Sequence, residues 1–176
     1  MNLSFTRGDD ENAVRENYRR MAHALDVKED SFVLAAQTHT TNVHKVTLDN
    51  RYENLQDVDG LITDVPGICL VTSYADCVPL YFVDPIHRAI GLSHSGWRGT
   101  VGKIGEATLR KMADEYGTRA EDVIAAIGPS ICQDCYEVSA DVADAFYNEF
   151  PGDEEEIVLD EGSGKYELDL WETNEI

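Results

Sequence analysis

Cys77 and His94 are the two residues whose types and placement first suggest chemistry. They sit at the outer ends of two runs, Val78–Val83 and Ala89–Ser93, that are rich in β-branched and aromatic residues and flank an Asp84-Pro85 turn. A hairpin returns the chain to the end it left, so the thiol and the imidazole should meet. His39, at the end of an expected strand Ser31–Ala36, is a third donor. Three donors far apart in sequence, each at a strand end, differ from the short paired spacings of zinc fingers. They match a catalytic zinc that keeps its fourth position open. Two readings of Cys77 stand, a thiolate ligand or a covalent nucleophile with His94 as its base. His39 taken alone also fits a hydrogen-bonded structural role. Strand alternation puts His44 on the face opposite His39, so the two should not share one ion.

Other polar residues cluster around these three in the sequence. Asp76 directly precedes Cys77 and can either transfer a proton or orient a neighbouring ligand. Gln37 can meet substrate or hold the strand end with its amide. Arg98 lies in Gly96-Trp97-Arg98-Gly99, which should open a helix. Small residues at Gly96, Gly99 and Gly102 allow close approach to free N–H groups there, and with Arg98 they would seat a phosphate or another anion. The competing reading packs Trp97 in the core and pairs Arg98 with a carboxylate.

The four cysteines, Cys69, Cys77, Cys132 and Cys135, read as thiols or ligands rather than disulfides, because no secretion signal is recognisable. Cys69 falls inside the β-branched run Ile68–Tyr74 and is expected to be buried as a small hydrophobe. Cys132-Gln133-Asp134-Cys135 is a C-x-x-C that follows Gly128-Pro129 in a loop. A redox pair usually follows a strand and opens a helix, and no second pair completes a zinc ribbon.

The elements that must position these groups follow from periodicity. A helix is expected from Asp9 to Leu25, capped by Asp9 or Asp10, with Val14, Tyr18, Met21 and Leu25 on one stripe. Strands are expected at Ser31–Ala36, Val43–Leu48, Leu61–Thr63, Ile68–Tyr74, Asp122–Ile127, Ile157–Leu159 and Tyr166–Leu170, with a polar loop over Arg51–Val58 and a turn at Asp59-Gly60. Helices are expected over Thr100–Tyr116, stopped by Gly117, over Ser139–Phe150, and from Trp171 onward. Several strands in succession before Ser93, then single helices between strands, give an α+β domain rather than a doubly wound parallel sheet.

The chain has 176 residues, 43% of them hydrophobic, enough for a single domain spanning residues 1–176. Its formal charge of −20 argues against nucleic acid as a partner. The acidic runs Asp9–Glu11 and Asp153–Glu156 read as solvated faces. No apolar run is long enough to span a bilayer, so the expectation is a soluble, cytoplasmic protein with no membrane partner. Nothing in the sequence indicates an oligomeric state.

Taken together, Gln37-Thr38-His39, Asp59-Gly60, Ala75-Asp76-Cys77-Val78-Pro79-Leu80, His94-Ser95-Gly96-Trp97-Arg98-Gly99, and Ile127-Gly128-Pro129 with Tyr136-Glu137-Val138 closely resemble the laccase-like YfiH/YlmD family. Its members were first called multicopper polyphenol oxidases and are now described as purine nucleoside phosphorylases. The resemblance implies a mixed-sheet α/β/β/α sandwich with the site at strand ends, and metal ligands at His39, Cys77 and His94. It also implies zinc, with copper as the alternative, and purine nucleoside and phosphate as partners. The implied activities are phosphorolysis of adenosine, inosine, guanosine and methylthioadenosine, and deamination of adenosine. Asp76, Cys77 and Arg98 would then be catalytic, with Gln37 and Arg98 on the substrate.

Two departures from the family pattern stand out. Thr40 occupies the position after the first ligand, where many members have Gly. Members also carry further residues before Asn2 and after Trp171, so the chain is expected to be partial at both ends. Copper polyphenol oxidation, editing of peptidoglycan precursors, and an inactive or non-catalytic metal-binding fragment are the competing readings. Type 1 copper expects a weak axial Met, and none falls near the trio in sequence.

Overall fold

A computed structural model describes residues 2–5, 7–162 and 164–176. Thr6 and Ser163, the latter within the expected Asp160–Lys165 turn, lie outside the described residues. Helix α1 (Glu11–Leu25) is capped by the Asp10 side chain, which accepts from the Ala13 N–H. Its buried stripe of Val14, Tyr18 and Ala22 faces inward, and Tyr18 packs against Phe32 with ring centroids 6.0 Å apart. Strands β1 (Phe32–Ala36), β2 (Val43–Lys45), β3 (Leu55–Gln56), β4 (Gly60–Thr63) and β5 (Cys69–Val71) follow. β6 (Val78–Asp84) and β7 (Ala89–Ser95) then form the expected hairpin.

The chain continues through α2 (Trp97–Val101), α3 (Ile104–Tyr116), β8 (Ile124–Ile127), β9 (Glu137–Ser139) and α4 (Ala140–Glu149). It closes with α5 (Glu154–Ile157), β10 (Val158–Asp160), β11 (Lys165–Leu168) and α6 (Leu170–Glu175). The five-stranded sheet, in order β2-β4-β7-β6-β8, is the middle of the fold. β2 runs parallel to β4 and its other pairs are antiparallel. β1 pairs in parallel with β3 and β5 in a second sheet, and β10-β11-β9 make a third, antiparallel one.

Every residue of β4 is buried, so alternation sends its neighbouring side chains into two different cores. Ile62 joins Leu80, Phe82, Met112 and Phe146 under α3 and α4. Leu61 joins Val33, Leu70 and Leu92 between the five-stranded sheet and the β3-β1-β5 sheet. With α1 outside β1, the layers read α/β/β/α, the sandwich the resemblance implied, built as an α+β chain.

Four expectations needed adjustment. The polar Arg51–Val58 stretch carries β3, whose two residues pair with Ala35 and Ala36. Backbone pairing of so short a strand leaves no hydrophobic signature. The Thr100–Tyr116 helix is in fact two helices, because Lys103 takes a left-handed backbone (φ 56) after Gly102. Gly102 itself lies where a Cβ would come within 2.6 Å of Thr41. The acidic run before Ile157 is helical, moving the strand start to Val158, and Cys69 is half-buried rather than enclosed.

At the far end of the hairpin Asp84 is fully buried. Burial opposes its ionisation, yet the Thr118 side chain, the His87 and Ile86 backbone N–H groups and the His87 ring at 2.7 Å favour the charged form and bring its carboxyl down to about 2. A carboxylate held below its unfolded value stabilises the fold above that value and loses the contribution as pH falls through the folded one. Resistance to urea should therefore decline between about pH 4 and pH 2, and Asp84→Asn should flatten that decline. In the main core, Phe146→Ala should cost about 3–5 kcal/mol in the same unfolding assay.

Candidate metal centre

The hairpin register places Pro79 opposite His94 and Val78 opposite Ser95, so Cys77 arrives beside His94 at the open end of the sheet. His39 reaches the same point from the loop after β1. One ligand atom from each of His39, Cys77 and His94 lies within 4.8 Å of the others, and among the described residues this is the one group of three such donors. The His39 and His94 rings stand edge to face at 4.9 Å. Burial is graded across the trio: His94 is enclosed, Cys77 half-buried and His39 exposed. One side therefore opens to solvent.

The orientation of both histidines traces to Asp59, which is fully buried. Its Oδ1 faces His94 Nδ1 at 2.8 Å, leaving Nε2 as the nitrogen free to ligate. The same carboxylate accepts from the backbone N–H groups of Thr38, His39 and Thr40 at 3.1, 3.0 and 2.8 Å, and from the Thr40 hydroxyl at 3.0 Å. Three successive N–H groups turned onto one anion hold His39 in the left-handed region, φ 64, where non-glycine residues are uncommon. Thr40 is compatible with this turn because the positive φ falls on His39 itself. Burial would raise the Asp59 carboxyl, but the His94 and Thr40 contacts outweigh it and hold the group well below the usual carboxylate range.

Gly96 closes the site from behind. A Cβ there would stand 2.8 Å from the His39 ring and 2.9 Å from Cys77 Sγ, so only glycine lets the chain turn into α2 against the donors. Behind it, Ser95, Thr100 and Asn174 share hydrogen bonds that tie α6 to this turn. Tyr74 packs near His94 at 5.4 Å and donates to the Ser93 carbonyl.

The remaining expected site residues are sequence neighbours of the three donors. Asp76 is exposed, and its charge bears on the Cys77 thiol. Gln37 engages the Ser73 backbone with both ends of its amide, at 3.0 and 2.7 Å. Arg98 is exposed with its guanidinium 4.2 Å from the centre of the half-buried Trp97 ring, and none of the ion pairs among the described residues involves it. His44 contacts Asn50 at 3.2 Å, away from the trio. Asp59 read as a turn residue in the sequence; an Asp directly before an apolar strand that runs beside a ligand strand was the available signal.

The donor set fits a thiophilic divalent cation. Burial, with the Asp76 charge beside it, pushes the Cys77 thiol up to about 11. A cation between the imidazoles would reverse this, since a coordinating thiol is deprotonated outright.

The sequence pattern of a family described as multi-copper polyphenol oxidoreductase laccase matches residues 1–176. The chain belongs to that family. Among curated relatives of this laccase-like family, a purine nucleoside phosphorylase of Bacteroides thetaiotaomicron is 40% identical over 174 residues, covering 95% of this chain and 64% of that protein. An adenosine deaminase RL5 from an unknown prokaryotic organism is 35% identical over 181 residues, covering 99% and 69%. The crystal structure of the Bacillus licheniformis hypothetical protein YfiH superposes with a TM-score of 0.92 at 34% identity, covering 98% of this chain and 67% of that one. The chain thus spans about two thirds of the length of these three relatives.

If Asp59 sets the ligand geometry, Asp59→Asn should weaken zinc binding by about 10- to 100-fold in a competition titration with a chromogenic chelator. Unchanged affinity would remove Asp59 from that role.

Proposed function

We propose that the chain carries the metal centre of a zinc-dependent purine nucleoside phosphorylase that also deaminates adenosine, acting on adenosine, inosine, guanosine and methylthioadenosine. The observation that carries this reading is the His39, Cys77 and His94 trio, closed on the His94 side and open on the His39 side. The names of the relatives, purine nucleoside phosphorylase and adenosine deaminase, support it. A zinc ion on these three donors would supply Lewis acidity at a position left open to substrate.

The chain's own residues supply the rest. Arg98, exposed and without an ion-pair partner among the described residues, offers its guanidinium to phosphate at the rim. α2, in which Arg98 lies, is only five residues long, so the guanidinium rather than a helix dipole carries this role. Asp76, exposed beside Cys77, is placed to take a proton from an incoming nucleophile or return one to the departing purine. Gln37 holds the strand end before His39 through Ser73, and so shapes the substrate side of the opening.

The family description favours a second reading, copper-dependent oxidation of phenols. A His₂Cys set also suits copper, but the type 1 site wants a weak axial methionine. Met112 is buried in the main core against β7, and Met21 lies on α1. The zinc-loaded protein with inosine and phosphate should release free base and ribose 1-phosphate, with no release when phosphate is omitted. Arg98→Ala should raise the apparent KM for phosphate by about tenfold or more while moving that for nucleoside less, the scale of one lost charged hydrogen bond. Phenol oxidation by the copper-loaded protein, with no base released by the zinc form, would replace this reading with the oxidase.

A further inference from the structure

The C-x-x-C of Cys132 and Cys135 has no part in the metal trio, yet the structure places it one residue from a contact to that site. Both cysteines are free and exposed. They bracket a 3₁₀ turn over Gln133–Cys135 in which the Cys135 N–H donates to the Cys132 carbonyl at 3.1 Å. A turn closed this way keeps the first and last Cα atoms within about 7 Å, inside the span a disulfide bridges without moving the backbone. The two side chains are close enough that Cys132 pushes the Cys135 thiol up.

The loop around them is pinned on both sides. The Gly128 N–H donates to the Pro79 carbonyl at 2.8 Å, the Ile131 N–H to the Asp76 carbonyl at 2.9 Å, and the Leu168 N–H to the Tyr136 carbonyl at 3.1 Å. The Trp171 indole donates to the Ser130 hydroxyl. Between Ile131 and Tyr136 the chain has little freedom beyond the turn itself. Any adjustment that accompanies closing of the bond therefore falls on the two residues that flank the turn, Ile131 and Tyr136, and Ile131 is the one tied to the metal site. Its partner, Asp76, is joined covalently to the ligand Cys77.

We propose that Cys132 and Cys135 form a dithiol site that exchanges with small disulfides, and that closing the bond changes metal binding at His39, Cys77 and His94 through the Ile131–Asp76 contact. One cysteine thiolate attacks a sulfur of the small disulfide, forms a mixed disulfide and displaces one small thiolate. The second cysteine then attacks the protein sulfur of that mixed disulfide, closes the Cys132–Cys135 bond and displaces the second small thiolate. The two protein thiols lose two electrons, the small disulfide gains them, and the two protons leave with the released thiols. The Cys132 side chain, with partial burial and the Asp134 and Glu167 charges, disfavours the Cys135 thiolate, which slows the first attack and lowers the cost of giving up the reduced form. Transient disulfides of this kind serve redox sensing where thiols are otherwise kept reduced.

The test begins with reduced protein loaded with zinc to occupy Cys77, incubated with oxidised glutathione, alkylated and mapped by mass spectrometry. The expected product has Cys132 joined to Cys135, with Cys69 and Cys77 still alkylated after unfolding and zinc removal. Unreacted thiols, or stable glutathione adducts with no internal bond, would overturn the exchange site. Cobalt(II) is then titrated into oxidised wild type and into a Cys132→Ser/Cys135→Ser double variant, so that neither offers a free dithiol, and the thiolate-to-cobalt absorption is read. A several-fold difference in cobalt affinity supports the coupling, and identical titrations would overturn it.

Discussion

A single buried carboxylate organises the site. Asp59 receives five hydrogen-bond contacts, from three successive backbone N–H groups, one hydroxyl and the His94 ring. Burying an isolated carboxylate costs several kcal/mol, so the fold tolerates Asp59 only while most of these partners are present. That requirement runs in both directions. The donors keep Asp59 ionised, and Asp59 keeps His39 in a left-handed turn and His94 in the tautomer that presents Nε2. Two of the three candidate metal donors thus depend on a residue that would touch no metal.

The third donor is placed by the sheet. Antiparallel pairing of β6 and β7 sets Pro79 opposite His94, and the chain just before that pair delivers Cys77. β4 runs beside β7 with Gly60 opposite Ser93, and the His94 N–H donates to the Asp59 carbonyl at 2.7 Å. Strand register therefore fixes Asp59 against His94 before any side chain is considered. The absence of a side chain at Gly96 is the matching constraint on the other side of the donors. Loss of register by one residue would turn Cys77 and His94 away from each other.

How much of this was legible in the sequence follows from which forces leave a local mark. The hairpin was readable because β-branched residues flank a Pro-containing turn, and the trio because each donor stands near the end of an expected strand, although His39 lies in the loop beyond β1. Asp59 was readable only as half of an Asp-Gly pair, since its role depends on contacts to residues about twenty and thirty-five positions away that no local pattern encodes. β3 escaped for a similar reason: a two-residue strand is defined by its partner. The break at Gly102 and Lys103 was hidden because the apolar stripe continues across it, while the close approach of Thr41 that forbids a larger residue at Gly102 is a tertiary fact. The C-x-x-C was visible as a pattern, but its connection to Asp76 through Ile131 appears only in three dimensions.

The claim on which the rest stands is that His39, Cys77 and His94 together hold one metal ion. It is tested most directly by elemental analysis of the purified protein after equilibration with zinc and removal of excess, for wild type beside Cys77→Ser and His94→Ala. The account predicts about one zinc per wild-type chain and almost none in either variant, as expected when a three-ligand site loses a donor. A wild-type chain that retains no zinc, or variants that retain as much as wild type, would contradict it.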